Sequence, residues 1–165
     1  MKQIELTQSK VALVDDCDYD YLSRWRWYVL LSGGIHYAAR TALVAEGHPV
    51  TRRMHREILG FHGSIPPLDH IDGDGLNNRR ANLRVCTIQQ NSFNRRQYLK
   101  TRSGYKGVYW NNLIRKWVAG ITHNGKQLYL GSYGDKHTAA LAYNYEAAKR
   151  FGEFAKLNII KEGVE

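Results

Sequence analysis

Residues 69–94 constrain the fold more than any other part of the chain, because their pattern changes repeatedly along a short stretch. They open with an acidic residue and a histidine, and then pass into a loop over residues 72–82 that is rich in Gly, Asp and Asn. Such residues tolerate left-handed backbone and cap their own turns. Residues 83–86 alternate like a half-buried strand, and Thr87 with Gln90 has the spacing of a capping box. The stretch therefore predicts strand, loop, strand and helix.

Three polar side chains of this stretch are predicted to converge. Asp69 and His70 are neighbours, so on a strand they point to opposite faces, and one can face a metal while the other faces a water. Asn91 falls in the first turns of the predicted helix, where its side chain can be directed back at the strand pair. These three residues form the candidate site.

The run D-H-I-D-G-D-G-L-N-N-R-R-A-N-L-R, followed by Asn91 after C-T-I-Q-Q, resembles the HNH nucleases of the homing-endonuclease kind. Those nucleases fold as a ββα-metal unit. The three positions after which the family is named correspond here to His70, Asn82 and Asn91. The resemblance implies that His70 is the general base and that Asn82 pins the loop by hydrogen bonds. It also implies that Asp69 and Asn91 hold one divalent ion. Because the third position is Asn rather than His, a hard ion such as Mg²⁺ or Mn²⁺ is favoured over zinc.

The chemistry of phosphodiester hydrolysis agrees with this assignment. A histidine with a pKa near neutrality can take the proton of an attacking water, which is worth roughly 10²–10⁴-fold in rate. A metal ion stabilises the charge on the leaving oxygen without a proton transfer. Since Mg²⁺ keeps several waters and takes few protein ligands, Asp69 and Asn91 are sufficient to hold it.

The same loop also has simpler interpretations. A calcium loop is excluded, because the D-x-[DN]-x-[DN]-G template started at Asp72 places Leu76 at the third ligand position. Asn77 and Asn78 are interpreted as turn residues.

Positive charge is concentrated around this stretch. The net charge is +9, and residues 52–116 hold thirteen Lys or Arg against four Asp or Glu. Such a block is typical of nucleic-acid binders, although a solvated basic surface would look the same. In the nuclease part the cations expected to contact DNA are Arg79, Arg80 and Arg84.

The two cysteines, Cys17 and Cys86, form no C-x-x-C pattern, so neither a zinc ribbon nor a disulfide is expected. No signal peptide or membrane span is expected either. We expect a cytoplasmic protein of a bacterial host cell, associated with the nucleoid when bound to DNA, and encoded by a phage or a mobile intron.

Residues 1–50 are predicted to be β-rich, with short strands in I-E-L-T and V-A-L-V and a hairpin through Ser32-Gly33-Gly34. The aspartates at residues 15–20 are interpreted as the start of a short helix, because carboxylates suit a helix N-terminus. Residues 52–60 are predicted to form another short helix that ends at Gly60. Together, residues 1–94 form a predicted nuclease domain with a ββα-metal core at about 66–94 and a β-rich N-terminal extension.

Residues 95–104 are predicted to form a basic linker that lies along the phosphate backbone, with Arg95, Arg96, Lys100 and Arg102 as its cations. Residues 105–160 are predicted to form a second domain. Three strands with a strong turn signal at Asn124-Gly125 precede a helix that Asp135 caps and whose apolar residues recur at helical spacing. The result is a three-stranded antiparallel sheet packed on one helix, and the whole chain is expected to be α+β.

This second domain resembles the plant ethylene-response-factor DNA-binding domain of the APETALA-two type, through Y-K-G-V, K-W-V-A-G-I, Y-L-G-S-Y and F-G-E-F-A-K-L-N. In that family the sheet lies in the major groove, whose width accepts a β-ribbon. The resemblance implies DNA contacts at Lys106, Tyr109, Trp110, Arg115, Lys116, Thr122, Gln127 and Tyr129. Several of these stand where the plant pattern has arginine or tryptophan, and Gly120 replaces a glutamate, so the plant target sequence does not carry over.

The combined expectation is a site-specific DNA endonuclease of the HNH homing type that acts on double-stranded DNA as a monomer or weak homodimer. Two alternatives stay open: a non-catalytic DNA-binding regulator with a nuclease fold, and a protein that binds or cuts RNA.

Overall fold

The computed structural model describes residues 1–43, 47–94 and 101–160. The chain divides into two compact units, Met1–Asn91 and Ser92–Glu165. Both combine small antiparallel sheets with few helices, which confirms the α+β class. Predictions for Arg95, Arg96 and Lys100 lie outside the described residues. No helix within the described ranges combines the length and apolar character that a membrane crossing needs.

Among its described residues the first unit has three antiparallel sheets, ordered β1-β2, β3-β4-β5 and β6-β7. Its elements are β1 Lys2–Glu5, β2 Val11–Val14, α1 Asp16–Leu22, β3 Tyr28–Ser32, β4 Ile35–Leu43, β5 Pro49–Arg53, α2 Met54–Ile58, β6 Leu68–His70, a 3-10 turn Arg80–Asn82, β7 Leu83–Val85 and α3 Ile88–Asn94. The boundary between the two units falls within α3.

The predicted N-terminal strands and the glycine hairpin are confirmed. Ser32 pairs with Ile35, so Gly33 and Gly34 form a two-residue turn, and their φ angles of 58° and 79° suit a primed turn that twists with the strands. The core of this unit gathers apolar side chains from both ends of its sequence: Ile4, Ala12, Val14, Leu22, Trp27, Ala38, Met54, Ile58 and Leu83.

The helix predicted over residues 52–60 begins later than expected. Arg52 and Arg53 extend β5 and pair with Arg40 and Ala39 of β4, so the backbone becomes helical only at Met54. Pairing with a neighbouring strand overrides the helical pattern of the isolated segment.

In the part of the second unit that the structure describes, one antiparallel sheet, ordered β10-β9-β8, packs with a covering helix. Its elements are β8 Val108–Asn111, β9 Lys116–His123, β10 Lys126–Tyr133, α4 Lys136–Phe151 and a 3-10 turn Gly152–Phe154. Asp135 caps α4 as predicted, because its carboxylate accepts hydrogen bonds from the backbone of His137 and Thr138. The buried face of α4 consists of Ala139, Ala140, Tyr143, Ala147 and Phe151.

Candidate active site

The register of the β6-β7 hairpin determines which face each site residue occupies. Asp69 lies opposite Arg84, and His70 lies opposite Leu83, which belongs to the core. The Asp69 carboxylate accepts hydrogen bonds from Nε and Nη2 of Arg84 at 3.0 and 2.8 Å. Both side chains are largely buried, so the guanidinium compensates a carboxylate that would otherwise be costly inside the protein.

His70 is 6% exposed and is enclosed by three side chains of the first unit. Its ring centroid lies 4.8 Å from that of His55 and 5.8 Å from that of Tyr37. Its Nε2 lies 3.4 Å from the side-chain oxygen of Asn78, which is itself 0% exposed. Burial lowers the pKa of His70, while the contact with Asn78 and the carboxylates of the neighbouring loop act in the opposite direction. The sequence did not point to Tyr37 or Asn78 as neighbours of this imidazole.

Tyr37 can approach the site because Gly75 has no side chain. A β-carbon at Gly75 would lie 2.4 Å from the carbonyl oxygen of His36 and 2.7 Å from the Tyr37 ring. Neither distance is compatible with ordinary packing. Glycine is therefore required at position 75, because β4 passes too close to the loop to leave room for a side chain.

His55 occupies the buried side of α2 and carries no charge. Burial, followed by the charge of His70 and nearby arginines, lowers the pKa of His55 to about 2. Among the described residues its Nδ1 has no hydrogen-bond partner. His55 therefore forms a neutral wall beside His70, with the two rings edge to face.

Asn82 connects the two ends of the loop before β7. Its side-chain oxygen accepts from the backbone N–H of Asp72 at 3.1 Å, and its amide group donates to Asp72 Oδ1 and to the Asn77 carbonyl. Its own carbonyl accepts from Ile71. These bonds hold the loop closed against the hairpin that carries Asp69.

Arg80 ties this loop to the N-terminal helix. Its guanidinium donates to both carboxylate oxygens of Asp18, and its backbone N–H donates to Asp15. The aspartate cluster thus starts α1 as predicted, but two of its members also bind a loop 62 and 65 residues away. Arg79, another cation expected at DNA, donates from Nε to the Asn77 side chain.

Asn91 lies in α3, where the predicted capping box is confirmed. The backbone N–H of Thr87 donates to the Gln90 side chain, and the backbone N–H of Gln90 donates to the Thr87 hydroxyl. The helix thus begins directly after β7, and Asn91 is half-buried one turn later.

In the second unit, four of the side chains predicted to contact DNA belong to the outward face of the sheet. All four are exposed: Tyr109, Thr122, Gln127 and Tyr129. By strand alternation and register they lie on the face of the sheet opposite to the core residues Ala119 and Ile121. A cavity of about 420 Å³ collects Arg102, Tyr109, Trp110, Thr122 and Gln127 around Gly120.

The remaining candidates of the second unit differ in placement. The Arg102 guanidinium stacks on Trp110 at 5.3 Å, and Arg115 and Lys116 are exposed at the β8-β9 turn. Lys106 instead donates from Nζ to the carbonyl of Phe93, and burial, with Lys156 nearby, lowers the pKa of Lys106 to about 8.

Comparison with known proteins identifies the family. A family model described as HNH endonuclease matches residues 53–93. An uncharacterized HNH endonuclease of Acanthamoeba polyphaga mimivirus is 35% identical over 150 residues, which cover 84% of this chain and 70% of that protein. The chain belongs to the HNH endonuclease family. Protein 3.8 of Escherichia phage T7 is 38% identical over 69 residues, covering 40% of this chain and 57% of the phage protein, and no solved structure gives a significant match.

The candidate ligands in this HNH endonuclease have chemistry that suits a hard divalent ion. Asp69 offers a carboxylate and Asn91 a carboxamide, and both are oxygen ligands of the kind that Mg²⁺ prefers. Within residues 1–43, 47–94 and 101–160 no cluster of three His, Cys, Asp or Glu side chains is arranged to hold a metal. Two oxygen ligands would leave room for the several waters that Mg²⁺ keeps.

The segment that matches the family extends upstream of the β6-β7 hairpin. It begins at Arg53 and therefore includes His55, for which the sequence favours a structural role over a contact with phosphate. Tyr37 lies outside the matched segment and reaches His70 only through the tertiary fold. No local pattern marks such a contact.

Proposed function

We propose that this chain is a metal-dependent endonuclease that hydrolyses phosphodiester bonds of double-stranded DNA, as a site-specific nuclease of the homing type. One observation carries the proposal: Asp69 and His70 are neighbours on β6 and face opposite sides of the strand. The Asp69 carboxylate pairs with Arg84, and the imidazole of His70 packs against the uncharged ring of His55. This arrangement falls inside the segment that matches the HNH endonuclease family.

In the proposed reaction His70 accepts the proton of the attacking water. Burial lowers the pKa of His70, so the imidazole is available in its neutral, proton-accepting form. Asp69 and Asn91 would hold Mg²⁺ or Mn²⁺, and the ion when bound supplies charge stabilisation at the phosphate and its leaving oxygen. Asn82 keeps the loop in place without touching substrate.

The second unit is proposed to recognise DNA in the manner of the APETALA-two type domain. Its outward sheet face offers aromatic, hydroxyl and carboxamide groups around Gly120, and no lining residue of the cavity there is acidic. A carboxamide such as that of Gln127 can bind a base edge in the major groove. Tethering this module to a weakly binding nuclease raises the effective concentration of each for the same DNA.

A second candidate function is a DNA-binding regulator without catalysis. It is favoured by the Arg84–Asp69 pair, which already occupies one carboxylate oxygen of the expected metal ligand, and by the small exposed fraction of His70.

A plasmid-cutting assay with the full chain distinguishes the two functions. Supercoiled plasmid is incubated with protein and Mg²⁺, with Mn²⁺, and with a chelator, and binding is followed in parallel by gel shift. We expect nicked or linear products only when a divalent ion is present, and a gel shift in every sample. A chain that shifts DNA but leaves the plasmid intact in both metals would support the regulator.

A further inference from the structure

We propose that Asn78 is a positioning residue that holds the imidazole of His70 in the tautomer whose Nε2 carries the proton. This inference rests on the proposed function, since it assigns a role beside the proposed general base. From the sequence alone Asn78 is interpreted as a turn residue. In the structure its side chain is 0% exposed, and its oxygen lies 3.4 Å from Nε2 of His70.

The orientation of the Asn78 carboxamide follows from its other partner. Its Nδ2 donates to the backbone carbonyl of Leu76 at 3.1 Å. If the amide were flipped, two oxygens would face each other inside the protein, and a buried acceptor would be left without a donor. The side-chain oxygen is therefore the atom that faces His70.

A carboxamide oxygen only accepts, so Nε2 of His70 must donate. A neutral imidazole carries one proton, and placing it on Nε2 leaves the basic electron pair on Nδ1. The hydrogen bond of one ring nitrogen thus determines which nitrogen can act as base. Tyr37 and His55 restrict the ring plane from two sides, so tautomer and orientation are held by different residues.

The position of Asn78 in the backbone does not depend on this side-chain contact. Its backbone N–H donates to the carbonyl of Leu13 on β2 at 2.8 Å, and that bond survives any side-chain substitution other than proline. A purely structural side chain would act through the Leu76 bond, whereas a positioning side chain acts through its acceptor oxygen. Two variants separate these roles. Asn78→Asp keeps the acceptor oxygen but places a second oxygen against the Leu76 carbonyl, so it should lower stability while retaining the bond to His70. Asn78→Leu loses both the acceptor and the donor.

The direct test is the ring tautomer in the full chain, measured by long-range ¹H–¹⁵N correlation of histidine-labelled protein at pH about 8, where an ordinary histidine is neutral. His70→Gln assigns the signal. We expect the Nε2–H pattern in the wild type and in Asn78→Asp, and a mixture of tautomers in Asn78→Leu. An Nδ1–H pattern in the wild type, or an unchanged pattern in Asn78→Leu, would overturn the proposal.

Cutting kinetics add a second readout. We expect Asn78→Leu to lower kcat by about 10–100-fold with KM changed less than about 3-fold, and Asn78→Asp to retain most of the rate. Asn144→Leu is the matched control, because Asn144 also uses both ends of its carboxamide, in this case to bond the backbone of Asn158 in the second unit. The kcat of this control should stay unchanged. Equal losses in Asn78→Asp and Asn78→Leu would contradict positioning. A wild-type chain with the expected tautomer and no cutting would overturn the proposed function alone.

Discussion

Polar side chains of the candidate active site lie inside the first unit, whereas those of the predicted DNA-binding face lie on the surface of the second. Asn78 and Asn82 are 0% and 8% exposed, but Tyr109 and Tyr129 are 48% and 66% exposed. Buried polar groups need partners with defined geometry, so the first unit suits chemistry that depends on a fixed arrangement. Exposed side chains around Gly120 can adapt to a partner, which suits recognition.

The largest effect is expected from removing the proposed metal-binding carboxylate of Asp69. Asp69→Asn should lower the cutting rate by about 10³-fold, because charge stabilisation by a metal is worth several kcal/mol. It should also weaken Mg²⁺ binding measured by calorimetry on the free protein. Asp74→Asn changes an exposed carboxylate of the loop that follows β6 and is the control. Unchanged Mg²⁺ affinity in Asp69→Asn would remove this residue from the metal site.

Altering the sheet face should change selectivity without changing chemistry. Gln127→Ala is expected to reduce discrimination at one base pair by about 10–100-fold, the value of a good base-edge contact, while the rate on saturating DNA stays the same. Selection from a randomised DNA library measures the preference at each position. Leu113→Ala, at a side chain 94% exposed in a turn of the same unit, is the control. Selectivity retained at every position would refute recognition by Gln127.

Filling the space at Gly75 should destabilise the first unit. The β-carbon of Gly75→Ala would collide with backbone of His36 and the ring of Tyr37, and overpacking of this kind costs about 1–3 kcal/mol. Denaturant unfolding measures the change. In Gly63→Ala the added carbon meets nothing within 4 Å, so the lower entropy of the unfolded chain should stabilise this variant by about 0.4–1 kcal/mol. Equal stability of the two variants would contradict the close approach of Tyr37.

The smallest effect is expected at the cap of α4. Asp135→Ala removes the side-chain acceptor for two backbone N–H groups and should cost the second unit about 1 kcal/mol. Thermal unfolding of Asp135→Ala and of the isosteric Asp135→Asn gives the comparison, since Asn also caps helices well. A cap variant as stable as the wild type would mean that water replaces the carboxylate.

The second unit was easier to predict than the first, for a physical reason. Its strands, the Asn124-Gly125 turn, the cap at Asp135 and the buried face of α4 all depend on residues near each other in sequence. Local patterns of this kind report secondary structure directly. The resemblance to a DNA-binding domain predicted which residues of the sheet would contact DNA. Thr122 and Gln127 are two of them, and the register pairs them on the outward face.

In the first unit the elements were predicted well, but the contacts of the site were not. The sequence marked Asp69, His70, Asn82 and Asn91 through a compact motif. It could not show that Arg84 pairs with Asp69, since this pairing depends on hairpin register. Nor could it show that Tyr37 and Asn78 enclose His70, because a polar contact between distant elements leaves no periodic signal.

The most direct test of the division between the units compares cutting and binding in His70→Ala. The variant and wild type are assayed on the same DNA with Mg²⁺, and Kd is measured with a chelator. His48→Ala, at an exposed histidine, is the control. We predict that His70→Ala cuts about 10²–10⁴-fold more slowly and binds with a Kd within about 3-fold of wild type. Unaltered turnover in His70→Ala, or equal losses in cutting and binding, would contradict a catalytic first unit served by a separate recognition unit.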